Sequence, residues 1–146
     1  MSGTALEAAV TLLSARLYSE KELEKKLSQK GYSDVDISYA MERLRNYRYI
    51  DDERYSAAVA RHYIRKGYGR KRIRSEFIRR GIPQDCWDQA IADSGDAGPV
   101  LDAFLLRSLK NPDDPSELHR VSERLFRRGF SWQEIQAAIN RFHETG

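Results

Sequence analysis

LEKKLSQKGYSDVDISYAM at residues 23–41 recurs as IRSEFIRRGIPQDCWDQAI at 73–91 and as VSERLFRRGFSWQEIQAAI at 121–139. The three stretches align on Gly31, Gly81 and Gly129, which stand 50 and 48 residues apart, a period that makes repetition the organising feature of the chain. Eight residues before each glycine lie Leu23, Ile73 and Val121, and four before it lie Leu27, Phe77 and Leu125, which together make one helical face. A basic residue precedes each glycine (Lys30, Arg80, Arg128) and an apolar one follows (Tyr32, Ile82, Phe130). That order predicts a helix end: the glycine takes the left-handed conformation, the cation sits at the negative end of the helix dipole, and the apolar residue folds back as a clasp.

Working outward, Ser33, Pro83 and Ser131 start a second helix in each stretch, whose inner positions are Ile37, Trp87 and Ile135, then Ala40, Ala90 and Ala138, then Met41, Ile91 and Ile139. Ser33 with Asp36, and Ser131 with Glu134, have capping-box spacing. Upstream of each pair lies one more amphipathic stretch: Ala5 to Arg16 with Leu6, Ala9, Leu12 and Leu13; Asp52 to Lys66 with Tyr55, Ala58, Tyr63 and Ile64; and Val100 to Leu109 with Leu101, Phe104, Leu105 and Leu109. No stretch keeps strand alternation long enough to compete. The expected fold is therefore all-α: three tandem three-helix repeats with helix-turn-helix character, at 1–48, 49–95 and 96–146, in an elongated, curved array. A unit of about fifty residues has a marginal core alone, so neighbouring units are expected to lean on each other. The linker at 46–51 is apolar enough to pack, the one at 93–98 looks loose, and Asn111-Pro112-Asp113-Asp114-Pro115 is a further break.

Hydrophobic residues make up 40% and charged residues 32% of the 146, a balance that suits long amphipathic helices and is too apolar for disorder. The apolar runs fall far below the roughly 20 residues of a membrane span. The N-terminus has no basic start or apolar run of a signal peptide, and the single Cys86 has no internal disulfide partner, so a cytoplasmic home is expected. His62, His119 and His143 are scattered without metal-ligand spacing, and no nucleophile has a base nearby in a motif. Gly67-Tyr68-Gly69 lacks the third glycine and the preceding strand of a phosphate loop. Asp51-Asp52-Glu53 is explained as a helix start, by a cap and first-turn acids. No catalytic residue, metal or cofactor is expected.

With the repeats laid out, the chain resembles the RecX family over nearly its whole length. The likeness rests on Leu12-Leu13-Ser14-Ala15-Arg16-Leu17-Tyr18-Ser19-Glu20-Lys21-Glu22-Leu23 running into Lys26-Leu27 and Lys30-Gly31-Tyr32, on Tyr49-Ile50-Asp51-Asp52-Glu53-Arg54-Tyr55, on Arg65-Lys66-Gly67-Tyr68-Gly69 with Arg72-Ile73-Arg74 and Arg79-Arg80-Gly81-Ile82, and on Leu125-Phe126-Arg127-Arg128-Gly129-Phe130. Arg48 stands where the family often has glycine, and the extensions at both ends are short. The resemblance implies a monomeric, non-enzymatic modulator lying in the groove of the RecA filament on single-stranded DNA, restraining ATP hydrolysis, strand exchange and the co-protease function.

Net charge is only +3, but its distribution is uneven. Arg65, Lys66, Arg70, Lys71, Arg72, Arg74, Arg79 and Arg80 stand against one acid, Glu76, and seven of the eight look unbalanced at helical spacing. Arg70 and Arg74, with Arg80 or Lys71, are expected to line up on one helix. Together with Arg124, Arg127 and Arg128 they form the candidate surface for the partner or for DNA phosphates; a solvated helix face is the bland alternative. The third helices begin with Asp34, Asp36, Asp85, Asp88 and Glu134, acids that phosphates would repel, so base reading by those helices is not expected. Tyr68 fits either a stacking or partner contact or a turn residue closing the gap between helices. Trp87 is expected in the core and Trp132, off the repeat's register, half exposed. An independent DNA-binding module is the competing function.

Overall fold

The computed structural model describes residues 3–145. Among the described residues the regular structure is nine α-helices in three successive groups and one 3-10 turn, with no strand. The groups are α1 (Ala5–Ala15), α2 (Glu20–Gln29) and α3 (Asp34–Asn46); α4 (Asp52–Arg65), α5 (Arg70–Arg79) and α6 (Trp87–Asp93); and α7 (Gly98–Ser108), α8 (Pro115–Arg127) and α9 (Trp132–Thr145). The all-helical, three-by-three organisation matches the sequence period.

The glycine ends form as their sequence demands. Gly31, Gly81 and Gly129 have φ of 94°, 68° and 101°. Behind them Tyr32, Ile82 and Phe130 donate their amides to Leu27, Phe77 and Leu125, while the glycine amides reach Ser28, Ile78 and Phe126. This double pairing satisfies carbonyls that a helix end otherwise leaves without partners. The same turn closes α3 with Arg48 in the glycine's place: the amides of Arg48 and Tyr49 donate to Arg45 and Leu44, at φ 57° for Arg48. A side chain there carries the left-handed penalty that the other three ends avoid.

The helix starts differ in quality. Ser131 and Glu134 exchange both bonds of a capping box, whereas at Ser33 the hydroxyl accepts the Asp36 amide and the shorter aspartate returns none. In the middle unit Pro83 supplies no cap, a 3-10 turn over Gln84–Cys86 intervenes, and α6 begins only at Trp87. A capping box also forms at Ser19 and Glu22. Asp51 caps α4, accepting the amides of Glu53 and Arg54.

The inner faces are buried as expected, with Leu23, Leu27, Ile73, Phe77, Val121 and Leu125 all within the core. The cores do not follow the units one for one. The first group has its own, while the second and third share a single cluster running from Tyr55 to Ile139. The linker at 46–51 packs less than its composition suggests: Ile50 is buried, but Tyr47 and Tyr49 are exposed. In the linker at 93–98, Ala97 is buried and Asp96 accepts the Gly98 amide.

One joint appears twice. The residue capping the middle helix of one unit meets the glycine end of the middle helix of the next. Ser19 at the head of α2 donates its hydroxyl to the Arg80 carbonyl beside Gly81. Gly69 at the head of α5 donates its amide to the Arg128 carbonyl at 2.8 Å, and Lys71 donates to Gly129 at 3.2 Å. A side chain at Gly69 would overlap the Gly129 carbonyl, and one at Gly129 would lie 2.6 Å from the Arg72 amide nitrogen. Only bare backbone permits that approach.

Two outcomes follow. Arg48→Gly should raise unfolding free energy by about 1 kcal/mol, read from urea melts, because it removes the left-handed penalty without removing a packed contact. Gly69→Ala should lower it by on the order of 3 kcal/mol and broaden the melt, because the second and third units must separate to admit the methyl group.

Candidate partner-binding surface

The surface is built on α5 and the turn before it. Helix N-termini favour acids, yet the first turn of α5 carries Arg70, Lys71 and Arg72 with no acid and no side-chain cap. The carbonyl end of α8 offsets this cost, because Arg128 and Gly129 accept the first amides of α5 and set the two helix dipoles head to tail.

Beyond that turn, Glu76 divides the cations. It is buried, at 6% exposure, and its carboxylate takes Arg79 at 2.7 Å, Arg80 at 3.2 Å and Arg72 at 3.6 Å. The expectation that seven of the eight cations lack an acid therefore fails. Arg72, Arg79 and Arg80 stand four before, three after and four after Glu76, and two carboxylate oxygens offer lone pairs enough for all three. Burial alone would push the Glu76 carboxyl up; hydrogen bonds from Arg79, Tyr63 and Arg80 outweigh it and hold the group down at about 2. Arg80 is also bound to the Tyr55 hydroxyl at 2.7 Å, which Arg16 shares from the first unit at 3.4 Å. Arg80 thus belongs to the joint and does not line up with Arg70 and Arg74. Its proton is held tighter than usual: burial works against the charge, but the hydrogen bonds that Arg80 donates to Tyr55, Tyr63 and Glu76 prevail.

The remaining cations face solvent. Arg65 and Lys66 end α4; Arg70, Lys71 and Arg74 lie on α5; Arg124 lies on α8. All six are exposed, and none makes an ion pair among the described residues. Arg127 is exposed and 3.7 Å from Glu123. Arg128 is half buried, donating to the carbonyls of Lys66 at 3.2 Å and Gly67 at 3.3 Å. Tyr68 has the Arg72 guanidinium 4.6 Å and the Arg128 guanidinium 4.9 Å from its ring centre, so its ring closes the joint between the second and third units.

Three further features escaped the sequence reading. Trp132, half exposed as expected, stacks on the exposed Phe126 at 4.5 Å and 9°, with the Lys71 ammonium 5.9 Å from the Phe126 ring. On α3, Tyr39, Arg43 and Tyr47 form a ladder in which the Arg43 guanidinium meets both phenols, at 2.9 Å and 3.4 Å. Their spacing of four was visible, but it carried no chemistry until the helix face was known to be exposed. Arg107 on α7 joins Arg65, Lys66 and Arg128 around a cavity.

Trp87 packs on Phe77 and donates its indole N–H to the Ile82 carbonyl at 3.0 Å, remaining partly exposed where Ile37 and Ile135 are buried. Cys86 sits against the same core, and burial, with Asp85, Asp52 and Glu53 nearby, pushes its thiol up to about 11. Among the described residues no group of acids, histidines and cysteine is arranged to hold a metal, and no helix is long and apolar enough to cross a membrane.

Family models describing the first and second three-helix domains of RecX match residues 5–44 and 51–91. The chain belongs to the RecX family. It is 32% identical to the regulatory protein RecX of Vibrio parahaemolyticus, over 92% of this chain and 88% of that one. It is 34% identical to the regulatory protein RecX of Xanthomonas campestris pv. campestris, over 92% and 85%. The crystal structure of RecX from Lactobacillus salivarius superposes with a TM-score of 0.81 at 22% identity, over 94% of this chain and 93% of that one, and so shares the fold. These relatives are named regulatory proteins, and the surface here is made of basic and aromatic side chains.

The Glu76 cluster sets a pH dependence. A carboxyl held at about 2 against an ordinary 4.5 contributes stability that is complete above the ordinary value and lost as pH falls toward the lower one. Glu76→Gln should cost about 3 kcal/mol at neutral pH. In urea melts, the gap between parent and variant should close as pH drops from about 5 to about 2.

Proposed function

We propose that this RecX-family chain is a non-enzymatic cytoplasmic regulator that binds the RecA filament on single-stranded DNA and restrains its ATP hydrolysis, strand exchange and co-protease activity in recombination and repair. The contact is the basic surface of Arg65, Lys66, Arg70, Lys71 and Arg74, continued by Arg124 and Arg127 on α8. Arg72, Arg80, Arg128 and Tyr68 hold that surface in register from within, and Arg79 flanks it, paired with Glu76. The observation that carries the reading is the start of α5, where Arg70 and Lys71 sit against the helix dipole, exposed and without acidic partners among the described residues. Exposed cations that no acid of the chain holds are free to meet acidic side chains or phosphates of a partner. The regulatory character of its relatives supports the same reading.

A second reading, binding to bare DNA through phosphates, is favoured by the Phe126–Trp132 stack beside Lys71, since aromatic faces near cations suit single strands. Salt separates the two, because affinity for bare DNA resting on phosphate contacts falls steeply as salt rises.

Substoichiometric to stoichiometric amounts of the protein should suppress DNA-dependent ATP hydrolysis by RecA. Reversing Arg70, Lys71 and Arg74 to glutamate, which spares the Glu76 cluster, should raise the concentration for half-suppression by about tenfold or more. Unchanged suppression by the triple variant would remove this surface from the contact.

A further inference from the structure

A cavity of about 340 Å³ opens where the end of α4 meets α7 and α8, within the range of about 300–1,000 Å³ typical of small-ligand sites. Its floor is apolar: Leu101, Phe104, Leu125 and Phe130, all buried core residues. Its rim is Arg65, Lys66, Arg107 and Arg128, and no acid lines it. The one acid of α7, Asp102, is engaged elsewhere, with Arg141 at 2.9 Å. Arg65, Lys66 and Arg107 are exposed and make no ion pair among the described residues, while Arg128 is held in place by the carbonyls of Lys66 and Gly67. Four cations around an apolar floor call for a ligand that is apolar at its centre and anionic at its edge.

We propose that this cavity is a receptor for a bulky apolar side chain carried in an acidic segment of a partner protein. A nucleobase fits less well. No hydroxyl, amide or carboxylate side chain lines the cavity to read a base edge, and Phe104 and Phe130, 9% and 2% exposed, offer no free ring face for stacking. A large apolar side chain needs neither: burial on the floor supplies its affinity, and flanking carboxylates meet the rim. Because Arg128 is already ordered, little side-chain freedom is lost at that position on binding. The inference goes beyond the proposed function, since it defines the ligand by its chemistry whichever protein carries it.

Fluorescence anisotropy with the full chain tests it, using a labelled peptide Asp-Glu-Asp-Phe-Glu-Asp-Glu and the same peptide with serine for phenylalanine. The phenylalanine peptide should bind at least about tenfold more tightly, the worth of burying one aromatic side chain. Lys66→Glu with Arg107→Glu, both at exposed positions, should weaken both peptides by about tenfold. Ala103→Trp, or the milder plug Ala103→Leu, should abolish the preference for phenylalanine while leaving weak charge-driven binding. Equal binding of the two peptides, or a preference that survives both plugs, would overturn the proposal. So would an oligothymidylate that outcompetes the phenylalanine peptide and loses affinity in the plugged variants. RecA suppression measured on the same preparations reports the proposed function separately and has no bearing on the peptide result.

Discussion

The arrangement of the molecule depends on the contact between the start of one middle helix and the end of the next. A helix leaves its first amides and last carbonyls without internal partners. Here the end carbonyls find donors across a unit boundary: the Ser19 hydroxyl donates to the Arg80 carbonyl, and the Gly69 and Lys71 amides donate to Arg128 and Gly129. The two joints are built differently. Between the first and second units the contact is mainly polar, adding the Glu20 amide on Asp52 and the Arg16 guanidinium on the Tyr55 hydroxyl, with Leu17 packed against the neighbouring core, and the two clusters of buried residues remain distinct. Between the second and third it is backbone on backbone, and one core runs through both.

This joint also explains how α5 can be so basic. Its cation-loaded first turn is set against the carbonyl end of α8, and its last turn is neutralised from beneath by Glu76. The buried carboxylate acts as a sorter. Cations at helical spacing from it are paired with it, Arg80 half buried and Arg79 still exposed, and those off that spacing, Arg70, Lys71 and Arg74, are left without an acid among the described residues. The proposed contact is centred on the cations that Glu76 does not hold.

Much of this was legible in the sequence, because a glycine end is a local device: the cation, the glycine and the apolar clasp lie within three residues and form the same turn wherever they occur. The period, the inner faces and the exposed stance of Trp132 followed. What was not legible depended on distance in space. The pairing of Gly69 with Gly129 joins residues far apart in the chain, and Gly69 looked like an ordinary turn glycine. Glu76 was seen as one acid against eight bases; its burial, which lets one carboxylate hold three guanidiniums, is a property of packing. Ser19 and Glu22 had the spacing of a capping box and could have been found. Arg48 was marked as a departure from the family's glycine, and its positive φ is the structural counterpart of that mark.

In the proposed complex the middle-helix surface around α5, and not the acid-starting third helices, meets the partner. A photo-crosslinking side chain placed at Arg74 on α5, and in a separate preparation at the exposed Val35 on α3, tests it on RecA filaments assembled on single-stranded DNA. A RecA-linked product is expected from position 74 and none from position 35. Crosslinking from position 35 with none from position 74 would contradict it.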